Sequence, residues 1–363
     1  MQAAFDRIAE RVRAAAAAGT GLRLRGGGTK DFYGGPLSGD VLDLREYAGI
    51  TSYEPSELVA TARCGTPLAE FEAALAANRQ MLPFEPPHFG PGATLGGCVA
   101  AGLAGPRRAA NGLYYGAARD YVLGCTLMDA SGGAMRFGGQ VMKNVAGYDV
   151  SRLATGSMGT LGAILEVSLK VLPMPVAVAT LRFAVDEAGA IRRLNDWGGR
   201  PIPVSASAWE AGALAVRLEG AEAAVHSACA SLGGERVEPS QADAYWQGLR
   251  NHTAPFFASS SGPLWRVSVP STIPPIAPAG GSPFEQLVEW GGALRWWKTD
   301  ADASAVRRAA KAVGGHATLF RGGNKSAGVF TPLDPVAARL HRNVKAVFDP
   351  AGIFNRGRMY PEW

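Results

Sequence analysis

No two cysteines in this chain stand in a CxxC spacing. The four present, Cys64, Cys98, Cys125 and Cys229, lie far apart. That excludes an iron–sulfur or structural zinc framework and fits buried, reduced thiols. Histidine is scarce as well. His88, His226, His252, His316 and His341 include no HxH or HxxxH pair, so no metal site is expected. Apolar runs are short, and none approaches the roughly 20 residues that span a bilayer. The charged N-terminal stretch lacks the apolar core of a signal peptide. A cytoplasmic chain with no transmembrane segment is expected, any attachment to the inner membrane being peripheral and through partners. GxGxxG followed by an acidic residue is missing, and so is GxxxxGK[ST]. Their absence excludes a nucleotide held at a single Rossmann turn or P-loop. Long basic clusters are also missing. The formal charge of +5 comes from scattered residues, which favours an anionic ligand while no motif supports nucleic acid.

Glycine is what the chain has in excess. Its 363 residues include 47 glycines, about twice the ordinary share of roughly 7%, without a collagen period. Hydrophobic residues make up 47% and charged residues 18%, which suits a well-cored globular protein. The length predicts two domains, or one domain carrying a large insertion. Residues 1–18 read as a helix ended by Gly19, and "GLRLRGGGTK" as a strand running into a glycine turn. "TPLAEFEAALAANRQML" reads as a helix capped by Thr66, with Pro67 in its first turn and Leu68, Phe71 and Leu75 on one face. Beyond about residue 176 the texture changes to alternating segments such as "VATLRFAV" and "ALAVRLEG", with helical patterns near 189–197, 221–231 and 303–313. This mixture predicts an open antiparallel sheet with helices on one face.

Three glycine clusters, 26–30, 92–102 and 156–162, each adjoin a predicted strand or helix end. Without a Cβ, successive amides can turn into one concavity and meet phosphate oxygens. Thr29, Thr94 and Thr160 add hydroxyls. One cluster alone reads equally as an ordinary turn. Three in one half of the chain point to a shared anionic ligand gripped by several elements.

The motifs "RGGGTK", "PGATLGGCVAAG", "ARDYVLG", "KNVAGYDVSRLATGSMGTLGAI" and "FDPAGIFNRGRM" occur in this order. In that order the chain resembles the FAD-linked oxidases of the vanillyl-alcohol oxidase and p-cresol methylhydroxylase superfamily. Within it, "LWRVSVP" and "QLVEWGGALRWWKT" are similar to the FAD-binding subunits of bacterial glycolate oxidases (glycolate dehydrogenases). The resemblance implies an α+β fold: a two-part FAD-binding domain over 1–175, an antiparallel α+β cap over 176–333, and a helix and tail over 334–363 that return to the first domain. It implies noncovalent FAD, since Lys30-Asp31 stands where many relatives carry a flavin-linking histidine. Gly26, Gly27, Gly28 and Thr29, with Lys30 beside them, would hold the pyrophosphate. Thr94, Gly96 and Gly97 would hold the pyrophosphate and ribityl side. Gly156, Gly159, Thr160, Gly162 and Ile164 would line the cofactor, and Asn355 would return near the isoalloxazine ring.

The resemblance also implies partners, a second FAD-containing catalytic subunit and an iron–sulfur subunit, with glycolate or D-lactate as the small 2-hydroxy acid oxidised at the level of the complex. Related hydroxy-acid oxidases carry cap histidines that this chain lacks. No catalytic residue is therefore assigned, and substrate oxidation is expected on a partner. The alternatives are a self-contained FAD dehydrogenase of another alcohol or hydroxy acid, a non-catalytic flavoprotein-derived scaffold, and an enolpyruvyl reductase-type flavoenzyme. Met158 replaces the glutamate usual in the third glycine motif. Lys143 is a candidate cation for reduced flavin N1, with Arg107, Arg108 and Arg119 the other cations near these motifs. His88 is the histidine placed to face a flavin, or to serve a turn, and His341 lies near the cofactor end of the chain. Trp290, Trp296 and Trp297 read either as cap core or as a subunit interface.

Overall fold

The computed structural model describes residues 2–107, 116–139, 148–259 and 262–363. The chain divides into two compact units. The first comprises Met1–Leu103, Ala117–Met174 and Pro332–Trp363, and the second Ala104–Gly116 and Pro175–Thr331. Lys143 and Arg108 lie outside the described residues.

The first unit starts with α1 (Gln2–Ala18), whose Ile8 and Val12 face inward. Next come β1 (Leu22–Arg25), β2 (Asp40–Asp43), β3 (Ile50–Glu54), β4 (Val59–Arg63), α2 (Leu68–Ala77), β5 (Gln80–Met81) and α3 (Leu95–Ala101). After these follow β6 (Val122–Met128), β7 (Ala134–Gly138), α4 (Val150–Ala154), β8 (Ala163–Lys170) and β9 (Leu172–Pro173). β1 and β2 pair in parallel, while β3-β4-β8-β6-β7 form an antiparallel sheet. The core between them joins Ile8 and Val12 to Leu22, Leu42, Cys64 and Leu165, and also to Ile353 and Phe354 of the tail. Helix α2 buries Leu68, Phe71 and Leu75 as their spacing predicts. Thr66 does not cap it, because its buried hydroxyl accepts from the Gly49 amide at 2.9 Å and Pro67 takes the cap position. Helix α3 was hidden in a glycine-rich stretch of poor helix formers. It exists because Thr94 caps it and Gly96 packs against Cys64, where a Cβ would come within 2.5 Å of the Cys64 Cβ.

The second unit runs through β10 (Ala177–Ala184), α5 (Glu187–Gly198), β11 (Val204–Glu210), β12 (Ala213–Gly220), α6 (Glu222–Leu232), β13 (Glu235–Arg236), α7 (Pro239–Asn251) and α8 (Pro255–Ala258). It continues through β14 (Leu264–Ser268), β15 (Glu285–Glu289), β16 (Leu294–Lys298), α9 (Ala303–Ala312) and β17 (His316–Arg321). Its strands form one antiparallel sheet in the order β13-β10-β12-β11-β15-β16-β14-β17. Strand alternation sends Leu181, Leu214, Val216 and Leu218 against α5 and α6, and Trp265, Val267, Trp297 and Leu319 against α9. The expectation of helices on one face is corrected here. Thr180, on the reverse face, accepts the Trp246 indole N–H of α7 at 2.9 Å, so a further helix covers that side. Trp290, Trp296 and Trp297 are all buried. They are core, and the subunit-interface reading for them falls.

Residues 104–107 belong to the second unit rather than to a block ending at 175. The reason is chemical. The Trp290 indole N–H donates to Gly105 O at 3.0 Å. The Arg107 guanidinium grips buried Glu219 with two bonds of 2.9 Å, and Arg217 approaches the same carboxylate at 3.4 Å. Returning to the first unit, α10 (Pro335–Phe348) and the tail close the chain.

His252 ends α7 in a left-handed conformation. Its ring stacks on Phe257 at 3.8 Å and meets Trp296 edge-on at 4.8 Å. Burial, then Arg321 and Arg266, hold its basicity well below the ordinary 6.5. The unfolded chain therefore takes up a proton near pH 6.5 that the folded chain refuses, and stability falls as pH drops below that value. Urea unfolding at pH 7.5 and 5.5 should show wild type losing about 1.4 kcal/mol more than His252→Phe over that interval. An equal loss in the two proteins would remove His252 as the cause.

Candidate functional site

Loops of glycine have no side chains with which to anchor themselves, so their placement depends on what packs behind them. In 26–30 the chain leaves β1 and passes directly over the second cluster. A Cβ on Gly27 would lie 1.5 Å from Gly92 O. Only glycine permits that approach. Among the described residues, the amides of Gly27, Gly28 and Thr29 donate to no protein acceptor. They stand on the wall of a cavity in the first unit. Three consecutive free amides on a concave wall form a nest for anionic oxygen.

The other clusters shape the cavity differently. Thr94, Gly96 and Gly97 line it, but the Gly96 amide donates to Cys64 O at 2.8 Å and that of Gly97 to the Thr94 hydroxyl at 3.3 Å. Gly159, Gly162 and Ile164 line it too. Gly156 and Thr160 stand outside the wall. The Gly156 amide donates to Val99 O at 3.0 Å, and the Thr160 hydroxyl turns back to Ser157 O at 2.8 Å. Gly156 also packs on Gly102, where a Cβ would come within 2.8 Å of the Gly156 Cα. Met158 lines the cavity with its amide on Ala100 O at 2.8 Å.

Three side chains of α10 and the tail lock these loops. The Asn355 carboxamide accepts from the Leu24 amide at 2.8 Å and donates to Met158 O at 2.6 Å, joining the first loop's strand to the third loop. The Lys345 ammonium of α10, buried to 7% exposure, donates to Thr160 O at 2.6 Å, Phe354 O at 3.0 Å and the Asp349 carboxylate. Burial pushes its basicity down, and Asp349 opposes that shift. The buried Arg358 guanidinium donates to the carbonyls of Lys30, Asp31, Tyr33 and Gly35. Asn355 was expected from the motif. Lys345 and Arg358 carried no signal beyond being cations in a tail.

Charge completes the site. Arg23, Arg25, Lys30 and Arg358 line the cavity against a single carboxylate, Asp31, which Arg25 meets at 3.0 Å. The Lys30 ammonium reaches His88 O at 3.4 Å and lies 5.4 Å over the Phe89 ring. The cavity is therefore cationic overall, a setting that favours an anion. No histidine lines it. His88 turns to Glu72 at 2.8 Å, and His341 packs by Trp363. Among the described residues no cluster of histidine, cysteine or carboxylate could hold a metal.

Replacing Asn355 by alanine leaves the Leu24 amide and Met158 carbonyl without partners. Asn355→Ala should cost about 2–4 kcal/mol of unfolding free energy, read by urea denaturation. A loss below about 0.5 kcal/mol would mean that water replaces the clamp.

Residues 5–138 match the FAD binding domain family. The chain is 47% identical to glycolate oxidase subunit GlcE of Escherichia coli (strain K12), across 98% of this chain and 97% of that protein. It is 35% identical to glycolate oxidase subunit GlcD of Bacillus subtilis (strain 168), across 43% of this chain and 33% of that one. In three dimensions it is similar to an alkyldihydroxyacetonephosphate synthase, with a TM-score of 0.65 at 14% identity, over 96% of this chain and 75% of that structure. No helix among the described residues is long and apolar enough to cross a membrane. The likeness to the solved structure gives the α+β fold, and the matched domain gives FAD as the cofactor; by identity over nearly its whole length, the chain belongs to the glycolate oxidase subunit GlcE family.

Proposed function

We propose that this chain is the FAD-binding subunit of a multi-subunit glycolate (2-hydroxy-acid) oxidase, holding FAD noncovalently while a partner flavin subunit oxidises the substrate. The observation that carries this is the nest of free amides at Gly27, Gly28 and Thr29 under a cavity rich in cations. Its chemistry fits a pyrophosphate. The amides would meet the phosphate oxygens, with Arg23, Arg25 and Lys30 neutralising them. Gly159, Gly162 and Ile164 would border the remainder of the cofactor, and Asn355 would hold those borders in place. Bound FAD supplies two-electron redox chemistry. The chain's own residues bind and orient it; among the described residues no histidine lines the cavity, and its one carboxylate, Asp31, is engaged by Arg25. An iron–sulfur subunit as third partner, glycolate or D-lactate as substrate, and a cytoplasmic site peripheral to the inner membrane complete the reading. In it, the first unit with the tail is the FAD-binding domain and the second unit the cap.

The purified chain should be yellow, with a flavin spectrum that denaturation releases into solution. Glycolate should leave that spectrum unbleached in the isolated chain and bleach it in the assembled complex. Turnover of glycolate by the isolated chain with an artificial acceptor would instead establish a self-contained dehydrogenase. Gly27→Ala, which forces the Gly92 carbonyl away, should weaken FAD binding at least tenfold, about 1.4 kcal/mol. Titration by flavin fluorescence reads this directly, and undiminished affinity would place the cofactor elsewhere.

A further inference from the structure

Helix α10 has its polarity reversed. A surface helix normally buries its apolar stripe and shows its charges to water. Among the residues of α10 only Lys345 is buried, held by three oxygens of its own unit. The large apolar residues point the other way. Val336 is 58% exposed, Leu340 55% and Val347 76%. Their spacing of four and seven residues puts them within about 40° on one side of the helix. Further round the helix, α10 touches neighbouring structure. Phe348 of α10 packs edge-on against Phe137 of β7 at 6.1 Å. The Ser151 hydroxyl of α4 donates to Phe137 O at 3.1 Å. On α4 Leu153 is 44% exposed, and just before the helix Tyr148 is 92% exposed. Isolated apolar residues on a surface need no explanation, but a contiguous face of them marks an interaction site.

The charges beside the face that find no partner are arginines. Arg339 and Arg342 on α10 and Arg136 on β7 are exposed. Among the described residues none of the three has an ion-pair partner. Elsewhere in the same unit exposed arginines do find carboxylates, as Arg7 does with Glu46 at 2.7 Å and Arg45 with Asp43 at 2.6 Å. An apolar ridge rimmed by unpaired arginines is complementary to an apolar groove with an acidic rim. β7 is also the last strand of its sheet among the described residues.

We propose that the outer face of α10, with α4 and the β7 edge, is where this chain docks the partner flavin subunit of its complex, through an apolar groove bordered by carboxylates. This rests on the subunit reading above. The inverted helix supports it specifically: Lys345 faces inward to lock the third glycine loop, which leaves the apolar side free for a neighbour.

The test uses the full chain loaded with FAD and a purified GlcD-type subunit, mixed and followed by sedimentation velocity. Wild type should form a hetero-complex. Leu340→Asp/Val347→Asp should weaken it at least a hundredfold, and Arg339→Glu/Arg342→Glu at least tenfold with a reduced salt dependence. FAD content and melting temperature should stay as in wild type, since these side chains point to solvent. Binding by both variants at wild-type strength would overturn the assignment while leaving the subunit reading intact. Failure of wild type to bind would overturn that reading and this occupant together. Two other outcomes also overturn it. In one, wild type alone dimerises and Leu340→Asp/Val347→Asp does not, so the face belongs to a second copy. In the other, vesicles of anionic lipid capture wild type but not that variant while subunit binding is unaffected, so the face lies on a membrane.

Discussion

Hydrogen bonds from the tail to the backbone of the glycine loops are the constraint on which the site depends. A glycine loop can expose its amides to a ligand because nothing covers them, and for the same reason it cannot brace itself. The chain solves this at a distance. Asn355 ties Leu24 to Met158, Lys345 fixes Thr160, and Arg358 gathers the carbonyls that follow Thr29. In each case a long or forked side chain satisfies main-chain carbonyls that have no ladder to join. Burying a lysine or an arginine is costly unless its donors are used. Here they are used on the loops, so the same contacts that make the charges tolerable also hold the cavity open.

The second unit follows another rule. One face of its sheet is apolar and takes three helices. The reverse face carries charge within its strands, as with Arg217 and Glu219, and tolerates it because Arg107 supplies a bidentate partner. This explains why a short piece of chain from the middle of the first unit's sequence is counted with the second. A carboxylate buried to this degree needs a guanidinium; Arg107 meets it with two bonds, and Arg217 stands at 3.4 Å.

Much of this was legible in the sequence. The glycine clusters announced loops from several elements meeting at one place, and they line one cavity; strand alternation announced the antiparallel sheet. What could not be read was the division of labour among the glycines. Spacing does not distinguish Gly27, whose amide is free, from Gly96 and Gly156, whose amides are spent on Cys64 and Val99. Nor does composition reveal that Gly27 is small for the sake of Gly92. Helix α7 escaped notice because "PSQADAYWQGLRN" has a weak apolar pattern, and its Trp246 is fixed by one hydrogen bond to a strand 66 positions away. Lys345 was invisible for a different reason: a lysine in an amphipathic pattern is read as solvated, and only the fold shows it turned inward.

The Asn355 clamp also sets an order of events. Leu24 and Asn355 are 331 positions apart, and the whole second unit lies between them. On a ribosome making about 5–20 residues per second, the first loop waits roughly 15–65 s for the side chain that fixes it. Throughout that interval the amides of the nest exist but are not held. Closure of the nest is therefore a late event in the life of the nascent chain, and an interrupted chain that has made both glycine-rich ends of the N-terminal half still lacks the clamp.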